Sequence, residues 1–471
     1  MTTASITTHG HPLIRHAPHS VSVEARTAAP HEAAVRDRQR SGMLSPVTSD
    51  QPRNLDVVIA GGGVAGLEAL LALRALAGDR VRLVLIAPDP EFSYRPMAVA
   101  EPFSLGRAHR VPLTRFAEEA DAELVIEAVV SVDDGAGKVR LSDNSTRSFD
   151  ALVVAPGGRP VAGVEGATTW WPGGDSDVYG GLLRDLEEGY SKRLAIVVPP
   201  GAVWPLPAYE LALMTAGEVK AIGQEDVRIT VVTPEHAPLS LFGEQASAAV
   251  ADELKQAGVD LRTAVVARKS QGGLVLEPGG ELLDMQRVYA VPRIVGPALE
   301  GLPHDEEGFI LVGDDSLVEG ATRTWAAGDG IQSPVKFGGL ATHQARCAAA
   351  VIARLAGAQD VPDPGEPVLH GRLLVGHGTR RLAARGDAEG APLWWPSGKI
   401  AGRYLPRWLA ENGVAPQGAE APPQEGVVVE RPLRHLRGAE SKYLYDLARR
   451  YASNDPQIAA LGRRMRETRS D

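Results

Sequence analysis

A glycine-rich turn between an apolar strand and a strong helix constrains this chain more than any other stretch. Val57-Val58-Ile59-Ala60 is a short β-branched run, the pattern of a strand buried on both faces. Gly61-Gly62-Gly63-Val64-Ala65-Gly66 follows, then the helix former Leu67-Glu68-Ala69-Leu70-Leu71-Ala72-Leu73-Arg74. A second buried strand, Val81 to Ile86, closes a βαβ unit. Gly61, Gly63 and Gly66 have GxGxxG spacing: a glycine for the tight turn, one for backbone approach to a pyrophosphate, one for close helix–strand packing. Val64 and Ala65 open the helix, whose free N–H groups and dipole face an anion. Strand, glycines and helix in this order predict a dinucleotide site. The acid that normally binds ribose at the end of the second strand is missing, because Ala87 stands there. Asp89, two residues on, is either its replacement or a turn residue of Pro88-Asp89-Pro90.

A second βαβ unit follows, with strands at 194–198 and 227–232 around a helix at 208–216. Another apolar run at Ala151-Leu152-Val153-Val154-Ala155 and a region from Trp325 to Leu355 complete an α/β body. The expected fold is two doubly wound, Rossmann-like domains with a smaller C-terminal α+β domain. The expected boundaries are an unstructured tail at 1–54, a first dinucleotide domain at 55–185 resumed at 301–360, a second at 186–300, and a C-terminal cap at 361–471. The 471-residue length suits several domains of ~100–200 residues. The tail's His9, His11, His16, His19 and His31 are irregularly spaced and read as solvated rather than as metal ligands. A net charge of −10 gives no field for a polyanion, so nucleic acid is not an expected partner. No apolar stretch approaches the ~18–20 residues of a membrane span. The single cysteine, Cys347, excludes a disulfide scaffold and a dithiol redox centre within the chain. Together these features read as a cytoplasmic chain.

Three further segments resemble the two-dinucleotide-domain flavoproteins of the pyridine nucleotide–disulfide reductase superfamily. Asp150 to Pro160 is similar to the family's strand-to-turn segment, with Ala155-Pro156-Gly157 where Ala-Thr-Gly is usual. Thr324-Trp325-Ala326-Ala327-Gly328-Asp329-Gly330 is similar to its second FAD motif, in which the resemblance gives Asp329 the ribityl chain. Lys336-Phe337-Gly338-Gly339-Leu340 resembles the start of the helix that faces the flavin pyrimidine ring. By that resemblance Gly338 and Gly339 admit the ring, and Lys336 either adds positive charge there or is a solvated lysine. Arg95, in the loop after the second strand, is a cofactor contact or a loop salt bridge. The resemblance spans roughly residues 55–408 and implies a FAD-dependent oxidoreductase acting on a small-molecule donor and acceptor.

The second unit lacks its glycine fingerprint. Pro199-Pro200-Gly201-Ala202-Val203-Trp204-Pro205-Leu206-Pro207 offers few N–H donors for a phosphate, so NAD(P)H in the usual mode is doubtful. Sulfide:quinone oxidoreductases and flavocytochrome c sulfide dehydrogenases have a similar insertion ending in Cys-Pro-x-x-x-Tyr-Glu. Here Trp204 takes the cysteine's place, and indole cannot replace a thiolate nucleophile. Cys347 reads as a packed thiol in an alanine-rich helix. Glu210 either handles protons at the flavin or favours the helix dipole.

Trp204, Trp394 and Trp395 suggest an apolar pocket for a flat, quinone-like partner; their alternative is interface core. The basic stretch at 442–466 reads as an amphipathic helix, packed on its own domain or touching an anionic membrane surface. The leading expectation is electron transfer through non-covalent FAD without thiol chemistry. The alternatives are an NAD(P)H:quinone oxidoreductase resembling type II NADH dehydrogenases, and a flavin-binding partner or sensor protein. Oligomeric state is not legible.

Overall fold

A computed structural model describes residues 54–174, 176–313, 315–365, 367, 369–376, 378–384 and 399–414. The histidine-containing tail, Trp394, Trp395 and the basic stretch at 442–466 lie outside the described residues.

The first part of the chain runs β1 (Leu55–Ala60), α1 (Val64–Ala77), β2 (Val81–Ile86), α2 (Leu113–Glu119), β3 (Ala122–Val125) and β4 (Ala151–Val154). The middle runs β5 (Thr168–Thr169), α3 (Ser176–Glu187), β6 (Arg193–Val197), α4 (Leu206–Ala221), β7 (Arg228–Val232), α5 (Glu244–Gln256), β8 (Val259–Arg262) and β9 (Arg287–Ala290). The last part runs β10 (Thr324–Ala326), α6 (Gly338–Leu355), β11 (Leu369–Leu374), β12 (Thr379–Ala384) and α7 (Leu405–Glu411).

Two parallel five-stranded sheets result. The first has the order β10-β4-β1-β2-β3, so a strand from late in the chain completes a sheet begun at Leu55. The second has the order β5-β9-β6-β7-β8 and already takes in Thr168–Thr169, upstream of the boundary expected at 185. Both chain crossings between the sheets pass through one antiparallel ribbon, Arg159–Val161 against Arg293–Val295.

Strand alternation explains the layers. Val57 and Ile59 of β1 point toward α1 and α6, whereas Val58 and Ala60 point into a separate core with Val139, Leu141 and Phe149 of an antiparallel meander. The second sheet repeats this, with Ile196 on the helical side and Ala195 and Val197 against Leu274 and Leu276. Each sheet therefore carries helices on one face and a three-stranded meander on the other. α1 is buried along almost its whole length, each buried leucine contributing ~2 kcal/mol. Small residues let α1 and α6 pack closely: Ala69 and Ala72 on one, Ala345, Ala348 and Ala349 on the other.

Downstream of 360 the described residues join this same core. Leu369, Leu373 and Leu382 of the β11–β12 hairpin, with Ile400, Leu405 and Leu409, pack into the cluster that holds the helical faces of both sheets. Trp408 lies on Phe116 of α2, ring centroids 4.0 Å apart. Among the described residues no helix is long and apolar enough to cross a membrane.

Candidate active site

Neighbouring β10, β4 and β1 deliver three loops to the carboxyl edge of the first sheet: Ala327–Gly330, Ala155–Gly157 and Gly61–Gly63. Strand order reverses between β4 and β1, and ligands of open α/β sheets bind outside such a switch point. Backbone bonds extend the ladder into the loops, from Gly61 N–H to Ile86 O (2.8 Å), Ala155 N–H to Ala60 O (2.7 Å) and Ala327 N–H to Val154 O (3.0 Å).

The three motif glycines differ in what surrounds them. A Cβ on Gly61, whose φ is +131°, would stand 2.0 Å from Ala155 O, and one on Gly66 1.8 Å from Gly61 O. Gly63 is exposed, and a Cβ there would meet no atom within 4 Å. Two glycines are thus used for close packing, while the third borders open space at the start of α1. Among the described residues no side chain caps α1, so its first N–H groups lack a capping partner, the setting in which a helix start can receive an anion. Gly328 closes the other side, with a Cβ position 3.1 Å from Ala65, and its N–H donates to Gln344 Oε1 (2.9 Å). These features fit the pyrophosphate and ribityl portions of a flavin dinucleotide. Val64 and Leu340 are half-buried at the starts of α1 and α6, and Pro156 is exposed at the tip of its loop.

Asp329 is half-buried and feels the charges of Lys336 and Arg95. Burial pushes its carboxyl above the usual range, against the pull of Lys336 and Arg95. Lys336 is buried rather than solvated: its ammonium donates to Ile331 O and lies 4.0 Å over the Phe309 ring. Burial pushes it down to about 8, with Asp329, Asp305 and Glu307 opposing. Arg95 is exposed but close enough to act on Asp329. Asp89 is exposed and accepts from Glu91 N–H (3.0 Å), the geometry of a turn residue.

Two expectations need correction. Gly338 and Gly339 do not border open space: Ile400 lies 3.2 Å from the Cβ position of Gly338, and Ala401 and the Phe337 ring crowd that of Gly339. What approaches these glycines is the chain's own segment, because it crosses the start of α6. Glu210 is not a first-turn carboxylate favouring the helix dipole: it lies beyond the first turn of α4, fully buried, paired with Lys399 Nζ (2.6 Å) and accepting from Leu374 N–H (3.0 Å). Burial raises its pKa, and the Lys399 ammonium works against that rise.

Trp204 is half-buried at the end of the proline-rich loop, stacked on Phe337 (centroids 5.1 Å, planes 14° apart) and edge-on to Phe242 (6.0 Å). Lys336 N–H donates to Val203 O (3.2 Å), fastening that loop to the start of α6. Cys347 lies elsewhere on α6, half-buried, its sulfur 3.5 Å from His343 Nε2. Burial pushes its thiol up to about 11, so at neutral pH it is not a thiolate. Among the described residues no three His, Cys, Asp or Glu side chains are grouped to hold a metal.

The second sheet's carboxyl edge is occupied differently. Its loop runs from Val198 to Pro205, and Glu235, just past β7 where a ribose-binding acid stands in this fold, is engaged by the Tyr209 hydroxyl (2.5 Å) and Thr233 (3.0 Å). Sequence reasoning missed this pair, Lys399 and Glu68. The signal for Glu68 was present: it is the one charge in the apolar run from Leu67 to Leu73.

The sequence profile of the family described as pyridine nucleotide-disulphide oxidoreductase matches residues 55–353. An NADH dehydrogenase-like protein of Mycobacterium tuberculosis is 30% identical over 295 residues, covering 58% of this chain and 72% of that protein. A sulfide-quinone reductase of Aquifex aeolicus is 30% identical over 187 residues, covering 38% and 43%. The solved structure of the sulfide:quinone oxidoreductase from Aquifex aeolicus superposes with a TM-score of 0.63 at 20% identity, over 70% of this chain and 83% of that one. A ferredoxin reductase from Rhodopseudomonas palustris superposes with a TM-score of 0.53 at 23% identity, over 71% and 84%.

Proposed function

Since the chain belongs to the pyridine nucleotide-disulphide oxidoreductase family, whose members are FAD-dependent enzymes, we propose that it passes electrons through non-covalent FAD with no sulfur of its own in the relay. The convergence of three adjacent-strand loops around the open space at Gly63 carries this reading. Gly61, Gly63, Val64, Ala65 and Gly66 hold the pyrophosphate, with Ala155, Pro156 and Gly157 beside them. Asp329 would accept from the ribityl hydroxyls, and Gly328, packed against Ala65, would leave the approach to α1 clear. FAD, when bound, supplies the two-electron relay.

The chain's own residues supply the electrostatics. Lys336 keeps a cation beside Asp329 in a dry setting, where it favours negative charge more than it would in water. The Trp204–Phe337 stack excludes water and offers a flat apolar surface to a planar acceptor such as a quinone. Three observations argue against a relay of the sulfide-oxidising kind: indole at position 204, a thiol at Cys347 held protonated, and a single cysteine in all.

A second reading, reduction by NADH, has the likeness to the NADH dehydrogenase-like protein in its favour. Against it stand the proline-rich loop and the engagement of Glu235 by Tyr209. Anaerobic stopped-flow separates the two. The expected result is that dithionite bleaches the flavin, a soluble quinone restores its colour, and millimolar NADH or NADPH leaves it oxidised over seconds. Rapid bleaching by either nucleotide overturns the first reading in favour of the second.

A further inference from the structure

The segment 399–405 crosses the start of α6 and is held at its two ends by buried carboxylates from two different helices, α4 and α1. At one end Lys399 Nζ pairs with Glu210 Oε1 (2.6 Å) and Oε2 (2.7 Å), both side chains almost wholly buried, while the Lys399 N–H donates to the Tyr94 hydroxyl (2.7 Å). Glu210 belongs to α4, under the second sheet. At the other end the N–H groups of Arg403 (2.9 Å), Tyr404 (3.2 Å) and Leu405 (2.6 Å) all donate to Glu68. Glu68 is fully buried on α1, two residues beyond the last glycine of the dinucleotide loop. Between the two ends, Thr342 Oγ1 donates to Ala401 O (2.5 Å), and Ile400 and Ala401 fill the space above Gly338 and Gly339.

An uncompensated buried carboxylate is strongly unfavourable, and both of these draw most of their compensation from the segment. Without it, among the interactions described, Glu68 would keep Arg346, whose Nε is 3.8 Å away and beyond hydrogen-bond reach, and Glu210 would keep the Leu374 N–H and the more distant charge of Arg372. Lifting either end therefore leaves a buried carboxylate short of its partners. The segment's middle lies over the start of α6, the helix that meets the candidate site through Gly328, whose N–H donates to Gln344 and whose Cβ position faces Ala65 and Ala341. One end is tied to α1 two residues beyond Gly66.

We propose that residues 399–405 form a clasp over bound FAD, with Glu68 and Glu210 as its positioning residues, so that cofactor release requires the clasp to lift. This rests on the FAD reading above and adds the device that retains the cofactor.

The test is the rate of FAD release from the holoprotein, followed by the rise of free-flavin fluorescence on dilution. Thr342→Val removes the hydroxyl that Ala401 O and Gly339 O share, without changing side-chain volume, and Thr342→Ser restores it. The paired change Glu210→Gln with Lys399→Met removes the buried charges together. Leu274→Ala, in the far meander, serves as a destabilised control. The clasp predicts at least tenfold faster release for Thr342→Val and for the paired variant. It also predicts near-native release for Thr342→Ser and for the control, with the bound-flavin spectrum unchanged in all. Native release rates in folded, FAD-loaded Thr342→Val overturn the clasp alone, as does equal acceleration in the control. A wild-type chain that takes up no FAD overturns the clasp together with the FAD reading.

Discussion

Gly63 and Gly61 have the same side chain and opposite reasons for it. Gly61 has no room and a left-handed backbone, so Gly61→Ala forces the loop from Ala155 and costs at least about 2 kcal/mol of stability in urea unfolding. Gly63 has room and an ordinary φ of −89°, so Gly63→Ala folds with unchanged apoprotein stability. Its methyl group occupies ligand space, and FAD affinity falls about tenfold or more, equivalent to ~1.4 kcal/mol by fluorescence titration. Equal loss of stability in the two variants would remove the distinction. At Trp204 the prediction concerns the acceptor: Trp204→Ala retains the flavin spectrum and raises the KM for a soluble quinone about tenfold, the worth of a lost aromatic contact of ~1–1.5 kcal/mol. An unchanged KM would assign the ring to packing alone. The glycines and the replacement of a cysteine by Trp204 were legible because each acts through its own chemistry. Lys399 was not legible, since its meaning depends on Glu210, far away in sequence and buried against it only in three dimensions.

Helices and strands were more readable than the contacts among them. The apolar runs at Val57, Val81, Ala151, Leu194 and Val227 all became parallel strands, since a strand buried on both faces has little other way to satisfy its backbone. The start of α6 was read as a surface open to flavin, but nothing local in Gly338-Gly339 tells a gap for a ligand from a gap for Ile400. α6 also carries a pH-dependent element. Burial, aided by the Arg346 charge, pushes His343 down to about 4, and its Nδ1 has no hydrogen-bond partner among the described residues. The folded state thus keeps the imidazole neutral while the unfolded chain protonates it near 6.5. Between about pH 6.5 and 4 the unfolded state binds more protons, so stability falls on acidification by up to about 3 kcal/mol from this group. His343→Leu should flatten that limb of the Tm-against-pH curve relative to the wild type; parallel curves would contradict it.

At the scale of the molecule, the sheets share one helical-side core, joined by the described residues beyond 360. The return of β10 to the first sheet brings Asp329 within reach of the Gly61–Gly66 loop and makes the site composite. The family resemblance implied a first domain resumed late in the chain, whereas periodicity carries no information about which strands pair. The central claim is that this composite edge holds FAD. Purification without added flavin, followed by denaturation and chromatography of the released chromophore, measures it directly. The account predicts one FAD per chain, or uptake of one on incubation with FAD. A colourless chain that takes up none would contradict it.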